Sequence, residues 1–390
     1  LKIVLLSFYY TPDLCAGSFR AAALINALLE QLPESAHIEV ITTLPNRYNS
    51  FSHVAAELEE SPRLTVRRIK LPNHKSGMVD QTKAFITFAY YALRAVRGKD
   101  YDLVCATSSR LMTATLGALV ARCKKIPLYL DIRDIFVDTL QEILPGKKAG
   151  FIVAFFARVE RWTIGSARKV NLVSEGFKTY FEERYPGQQF SYFTNGIDPE
   201  FINIPQHDTC VSQHVMPLTV TYAGNMGEGQ GLHTVIPELA KHFEGRLTFR
   251  LIGDGGRKKI LEQRLMALSC TNVELLAPIK REQLLQEYNN ADILFLHLSN
   301  YDAFKKVLPS KLFEYAAMGK PIWAGVSGHA ANFVRHEIDN AVVFHPGDVT
   351  EAAQVFETLV LGYHNRADFI KKFSRVSIMR SMAADIVSLL

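Results

Sequence analysis

The chain has 390 residues, of which 48% are hydrophobic and 21% charged, with a formal net charge of +5. That composition excludes disordered, collagenous and coiled-coil chains, and the length gives ample core for two domains or one very large one. The mild positive charge permits an anionic partner without requiring one. Five cysteines (Cys15, Cys105, Cys123, Cys210, Cys270) form no C-x-x-C pair, which argues for a reducing compartment and against structural zinc; no metal site is expected. Residues 1–6 are too short for the apolar core of a secretion signal, and no run approaches the roughly 18 apolar residues of a membrane span. The expected location is cytoplasmic, with attachment to the inner face of a membrane left open.

Apolar strand-like runs alternate with helix-like ones almost from end to end, the signature of stacked βαβ units. Strands are predicted at 2–8, 37–44, 63–71, 101–107, 127–132, 169–174 and 190–194, with helices at 18–32, 79–97, 110–124 and 149–165. A second series follows at 218–224, 246–253, 273–277, 293–298, 321–326 and 341–345. The stretch between the series lacks periodicity and is punctuated by Pro205 and Pro217, so it reads as a linker. The fold class is therefore α/β, with two doubly wound domains facing across a cleft. Their bounds are 1–200 for the first domain, 201–217 for the linker and 218–365 for the second. Helices at 366–390 are expected to return to the first. Ligands of open α/β sheets bind at the carboxyl ends of the strands.

In the first half, Ser7-Phe8-Tyr9-Tyr10-Thr11-Pro12 leads through Gly17 into a helix, a loop that either borders the cleft or simply connects. Two stretches bear on a membrane. Residues 62–75 carry Arg63, Arg67, Arg68, Lys70, His74 and Lys75 with no acid. Helix 79–97 mixes Phe85, Ile86, Phe88, Tyr90, Tyr91 and Leu93 with Lys83, Arg94 and Arg97. Either this is an interfacial anchor for anionic lipid or a buried helix beside a solvated basic strand, the second reading slightly ahead. Asp131-Ile132-Arg133-Asp134 follows a strand: its charges either face the cleft or form a structural Arg and Asp pair. Ser108-Ser109-Arg110 and Glu175 also end strand units.

In the second half, Tyr222-Ala223-Gly224-Asn225-Met226-Gly227-Glu228-Gly229-Gln230-Gly231 runs from a strand through four glycines, and Gly253-Asp254-Gly255-Gly256-Arg257 repeats the logic one unit later. Such loops bring backbone N–H groups close to a phosphate, or are plain surface turns. A third strand end leads through Lys305, Lys306, Val307, Leu308, Pro309, Ser310 and Lys311 to a short helix carrying Glu314. Ser310 is expected to cap that helix and Gly319 to end it. The pattern suits an anionic ligand with hydroxyls, and the alternative for Lys311 is a solvated helix residue.

The order of Tyr-Ala-Gly-Asn-Met-Gly, Gly-Asp-Gly and Pro-Ser-Lys-Leu-Phe-Glu-Tyr-Ala-Ala-Met-Gly-Lys-Pro-Ile resembles the retaining glycosyltransferases of family four, which have the GT-B fold. It is most similar to the branch that builds bacterial surface polysaccharides, including aminosugar and fucosamine transferases. Tyr192-Phe193-Thr194-Asn195-Gly196-Ile197-Asp198 resembles the family's stretch closing the first domain.

The resemblance implies that Glu314 binds the ribose of the nucleotide. It places Val307, Leu308 and Ser310 at the donor sugar and diphosphate, Gly224 and Gly17 near the phosphates, and the base near Gly253, Gly255, Pro278 and Ile279. Lys306 stands where many members carry a glutamate; Asn225 and Gln230 stand where many carry Arg and Lys. Lys305, Lys306, Lys311 or Arg257 is then expected to supply the cation. Arg133 is assigned to the departing diphosphate, and Asp134 to orienting either the acceptor or Arg133.

The implied activity is retaining transfer of a hexosyl or N-acetylhexosaminyl group from a nucleotide sugar, UDP foremost, to a glycan or polyprenyl-linked glycan. The route implied is polysaccharide or lipopolysaccharide biosynthesis. The donor is a substrate and no permanent cofactor is implied. Nucleic acid is not an expected partner; peripheral contact with an anionic membrane stays open. A hydrolysing nucleotide-sugar epimerase and a weakly active donor-binding protein are the alternatives, the latter motivated by Lys306, Asn225 and Gln230.

Overall fold

The structure, a computed structural model, describes residues 1–46, 55–72, 78–108, 111–143, 147–202 and 216–390. Most of the expected linker, together with His74, Lys75, Ser109, Arg110 and Cys210, lies outside the described residues. Contacts divide the chain into two compact units, Leu1–Asn195 with Arg375–Leu390, and Gly196–Ser374. The sequence reading had ended the first domain at residue 200 and the second at 365.

The first unit contains the strands β1 (Lys2–Leu6), β2 (His37–Thr43), β3 (Leu58–Glu60), β4 (Leu64–Ile69), β5 (Leu103–Ser108), β6 (Leu128–Ile132), β7 (Lys169–Leu172) and β8 (Phe190–Ser191). Its sheet runs β3-β4-β2-β1-β5-β6-β7-β8, parallel except for β3 against β4. The helices α1 (Ala16–Gln31), α2 (Met78–Val96), α3 (Leu111–Lys124), α4 (Phe136–Ile143), α5 (Lys147–Gly165) and α6 (Lys178–Arg184) connect the strands. The parallel strands are continuous apolar runs because both faces of the sheet are covered. β3 escapes sequence reading because Leu58-Glu59-Glu60 is a short, exposed, charged edge strand with no buried face to impose a pattern.

The second unit opens with α7 (Pro199–Ile202) and then alternates β9 (Leu218–Asn225), α8 (Leu232–His242), β10 (Leu247–Asp254), α9 (Lys258–Ala267), β11 (Val273–Leu276), α10 (Arg281–Asn290) and β12 (Ile293–His297). It continues through α11 (Lys311–Ala317), β13 (Ile322–Gly325), α12 (Gly328–Glu337), β14 (Ala341–Phe344), α13 (Val349–Phe356) and α14 (Ala367–Lys372). The sheet order is β11-β10-β9-β12-β13-β14, wholly parallel. This is the doubly wound order in which the chain builds outward on one side from β9, then returns and builds outward on the other from β12. Trp323 sits fully buried at the centre of its core, ringed by Phe243, Phe295, Phe344 and Phe356.

The last helix, α15 (Arg375–Val387), belongs to the first unit, where Met379, Met382, Ala383 and Ile386 pack with Ala21, Leu24, Ile25 and Leu28 of α1. A buried polar network lies beside this packing. Arg20, 1% exposed, binds Asp131 through Nε at 2.8 Å and Nη2 at 2.9 Å, and donates to the carbonyls of Phe193 and Thr194, each at 2.7 Å. Asn171 donates to Asp131 at 2.7 Å and accepts from the Phe193 N–H at 2.6 Å. Burial opposes the Asp131 charge, but Arg20, together with Arg133 and the Asn171 hydrogen bond, outweighs it and holds the carboxyl below its ordinary range.

Candidate active site

In the second unit β9 and β12 are neighbours from which the chain departs in opposite directions, so the crevice beyond their carboxyl ends is the switch point of the sheet. Two loops meet there. The segment after β9 makes a 3-10 turn (Glu228–Gln230) and reaches α8 through Gly231, whose φ of +58° is the left-handed conformation glycine tolerates. The segment after β12 lies against it. The Ser299 N–H donates to the Gly229 carbonyl at 2.9 Å, and the Tyr301 hydroxyl to Glu228 Oε1 at 2.8 Å. The Phe304 ring occupies the space a side chain on Gly229 would need.

His297, the last residue of β12, is 1% exposed and locks this junction. The Gly347 N–H donates to its Nε2 at 3.0 Å, which leaves Nδ1 as the protonated nitrogen facing the Gln230 carbonyl at 2.7 Å. Burial, with His233 nearby, pushes its pKa down to about 4, against the hydrogen bond to Gln230.

The glycines after β9 and β10 serve packing between loops. A side chain on Gly253 would overlap the Gly224 carbonyl, and one on Gly255 would come within 2.5 Å of the Met226 backbone. The Met226 N–H donates to the Asp254 carbonyl at 2.9 Å, and the Arg257 N–H to the Met226 carbonyl at 3.0 Å. Arg257 forms an ion pair with Glu228. Asn225 and Gln230 are hydrogen-bonded to each other at 2.6 Å, a neutral amide pair.

Lys311, the first residue of α11, leans over the end of β9. Its Nζ lies 5.2 Å from the centre of the Tyr222 ring and against Gly224, whose missing side chain makes the room. The Tyr222 hydroxyl donates to the Asn225 carbonyl at 2.6 Å and thereby fixes the ring under the ammonium. Ser310 does not cap α11 with its side chain, contrary to expectation. Its backbone is already helical, at φ −60° and ψ −28°, so the hydroxyl is not aimed back at the first turn. Gly319 does end the helix, at φ +67°.

Leu308 is buried, whereas Val307, Pro309, Ser310 and Lys306 are half-buried. Lys305 is exposed and paired with Asp302 at 2.6 Å. Glu314 is half-buried one turn into α11 and acts electrostatically on Arg281 at the start of α10. Burial works against the Arg281 charge, but Asp198, Glu314 and Glu200 together hold its pKa above the ordinary value. Pro278 and Ile279, half-buried, immediately precede α10. Below Glu314, Tyr315 accepts the Ala223 N–H at 3.3 Å and meets Tyr288 edge-on at 5.2 Å.

In the first unit the guanidinium of Arg133 packs on Gly17, where a side chain would overlap Nη1. The Arg133 N–H donates to Ser108 Oγ at 3.1 Å, while its buried Nε has no hydrogen-bond partner among the described residues. Burial, with Arg20 nearby, lowers its pKa against Asp131 and Asp134. Asp134 and Glu175 are exposed. Of the two readings left open for this segment, Asp131 takes the structural one, but its partner is Arg20 rather than Arg133.

The residues sequence reasoning missed are Arg20, Asn171, Arg281, His297 and the tyrosines under Lys311 and Glu314. Only Arg20 carried a signal, as a cation on the buried stripe of α1.

Comparison with known proteins agrees with this architecture. Residues 21–196 match the family model described as glycosyl transferase 4-like domain, and residues 217–361 match glycosyl transferases group 1. WcaI of Escherichia coli (strain K12), assigned to colanic acid biosynthesis as a glycosyl transferase, is 24% identical over 339 residues, 82% of each chain. Among solved structures, Anabaena HepE in complex with UDP and glucose superposes with a TM-score of 0.64 at 17% identity over 100% of both chains. WaaG, a glycosyltransferase involved in lipopolysaccharide biosynthesis, gives 0.63 at 13% over 100% of this chain and 97% of its own. Sucrose-phosphate synthase from Thermosynechococcus elongatus gives 0.68 at 14% over 99% and 94%. With its two parallel-sheet domains of GT-B type, the chain belongs to the glycosyltransferases of family four.

Proposed function

We propose that this glycosyltransferase moves a hexosyl or N-acetylhexosaminyl group from a UDP-sugar to a hydroxyl of a glycan or polyprenyl-linked glycan, with retention of configuration. The acceptor is reached at the inner face of a membrane. The relatives in lipopolysaccharide and colanic acid synthesis, and HepE with its UDP and glucose, support that reading.

The observation that carries it is the Lys311 ammonium held against Gly224 at the switch point, with the Glu314 carboxylate one turn further along α11. Departure of an anionic diphosphate is the costly step of sugar transfer, and a cation fixed in advance lowers its barrier. Lys311 takes that role because Asn225 and Gln230, hydrogen-bonded to each other, carry no charge. Glu314 accepts the ribose hydroxyls, and Pro278 and Ile279 border the base. Val307, Leu308, Ser310 and Lys306 border the sugar and phosphates. Arg257 reaches them if its pair with Glu228 opens. In the first unit Arg133 and Asp134 act on the departing group and the acceptor.

The test is a thermal-shift screen with UDP, GDP, TDP and several UDP-sugars on the wild type, Lys311→Ala and Glu314→Ala. UDP should raise the wild-type melting temperature, as mass action requires of a ligand bound only to the folded state. Each substitution should weaken UDP binding by about tenfold or more, the loss of one charge-assisted contact. A chain that no nucleotide stabilises, or full affinity in both variants, sinks the assignment.

The amide pair of Asn225 and Gln230 favours a second reading, a donor-binding protein with slow turnover. Tight UDP binding without transfer to any membrane-extracted acceptor would select it.

A further inference from the structure

In the first unit α3 packs against both α2 and α5. The outward sides of these three helices carry large apolar groups. Ile86 and Tyr90, 61% and 60% exposed, lie one turn apart on α2, and Leu93 continues the same ridge. On α5, Phe151 is 81% exposed, and Phe155, Arg158 and Trp162 follow it along one face; α3 adds Leu119. Exposed apolar residues scattered singly need no explanation, but a set carried by neighbouring helices marks a binding surface.

The exposed charges of these three helices are cationic. Lys83, Arg94, Arg97, Arg122, Arg158 and Arg161 are exposed. The acids of the three helices are Asp80 and Glu160, and Glu160 is buried under the hydroxyls of Tyr180 and Tyr185.

At the edge of the same layer a cavity of about 960 Å³ opens between β4 and α2, lined by Arg67, Arg68, Lys70, Arg94, Arg97 and Lys99, with Glu57 the one acid among the described residues that line it. Its wall is built. Buried Glu39 holds Lys99 at 2.7 Å and Arg67 at 3.4 Å, and Arg68 pairs with Glu59 at 2.7 Å. Among the described residues no ion pair engages Lys70, Arg94 or Arg97.

We infer that this face docks on an anionic phospholipid bilayer. The ridge residues of α2 and α5 enter the headgroup boundary, and the cavity takes lipid phosphates. Amphipathic helices with aromatic and basic flanks bind such surfaces through apolar burial and attraction to anionic lipid. A second copy of the chain fits less well, because a two-fold contact would set the exposed cations of the three helices largely against themselves, the exposed acids Glu59 and Glu60 lying on β3 at the sheet edge. The inference deepens the reading of a membrane-borne acceptor but is measured without donor or acceptor.

The experiment is flotation of the full chain with vesicles of phosphatidylglycerol and phosphatidylcholine, and with phosphatidylcholine alone. Three proteins are compared: wild type, Ile86→Ser/Tyr90→Ser/Phe155→Ser, and Arg94→Gln/Arg97→Gln. Stabilisation by UDP is read on each as a check of folding and of the donor site. The wild type should float with the anionic vesicles only, less so in high salt. The serine variant should stay at the bottom of the gradient, and the glutamine variant should lose on the order of twentyfold in affinity, about fivefold per cation. Both should keep the wild type's response to UDP. Equal flotation of all three, or equal binding to neutral vesicles, overturns the inference. So does a dimer that the serine variant dissociates while no vesicle is bound. Flotation without any UDP response would overturn the donor assignment and leave the membrane face standing.

Discussion

A methyl group on Gly224 would meet the Cε and Nζ of Lys311, and a φ of +138° disfavours any side chain there. The sequence pointed to both residues, because a glycine at a strand end and a lysine opening a helix each have a local signature. That they touch is a tertiary fact no spacing encodes. The same holds for Arg20 and Asp131, which are 111 residues apart, and for Arg281, which shares the field of Glu314 from another helix. His297 was hidden for a different reason: inside an apolar strand it reads as one more core residue. Its buried, neutral imidazole carries a pH prediction. The folded pKa of about 4 lies below the ordinary 6.5, so the unfolded chain takes up the proton first on acidification. Stability is fully present above about pH 6.5, falls as the pH drops towards 4, and the loss is on the order of 3 kcal/mol. Urea unfolding of the second unit across that range should show the slope, and His297→Gln should flatten it while being less stable throughout. An unchanged slope in the variant would move the effect to other groups.

The strands were the readable elements, since each parallel strand is a run of apolar residues whose burial the sheet dictates. α4 was not read: Val137, Thr139 and Ile143 are β-branched in only eight residues, so tertiary contact with α5 rather than propensity fixes it. α11 is shorter still, seven residues, and could not persist alone in water. What holds it is Phe313, buried among Phe333, Phe369 and Phe373 at ring-centre distances of 5.5, 6.2 and 5.3 Å. Phe313→Ala should therefore cost about 3–5 kcal/mol of stability in the second unit and weaken UDP binding as well, because α11 positions Lys311 and Glu314. Lys311→Ala, by contrast, should weaken UDP binding with little change in the urea midpoint. Were Phe313→Ala to keep full nucleotide affinity, the helix would not be the platform of the site.

The two units interleave in sequence, since the chain leaves the second at Ser374 and ends in the first. Position in the chain alone would assign α15 to whichever domain precedes it; burial assigns it to α1. Met379, Met382 and Ile386 are each fully buried, and burying a side chain of that kind contributes about 1.5–3 kcal/mol. Asp385 adds an ion pair with Lys169 and accepts from the Tyr129 hydroxyl at 3.1 Å. Before the entropy of ordering the helix is deducted, three such side chains contribute about 4.5–9 kcal/mol, a large share of the 5–15 kcal/mol by which domains are stable. The molecule supplies its own reporters, because its two tryptophans fall one in each unit: Trp162 on α5 and Trp323 in the core of the second. Single-tryptophan versions, made with Trp162→Phe or Trp323→Phe, then follow each unit separately. Removing residues 375–390 should unfold the Trp162 unit at much lower urea. The Trp323 midpoint should stay near its full-length value, and UDP should still raise it, by about 2.7 kcal/mol at a hundred times its dissociation constant. If both midpoints fell together, the units would be one cooperative body and α15 a brace for the whole. If neither moved, the packing on α1 would contribute little, and the buried methionines would have to be offset by strain elsewhere in the first unit.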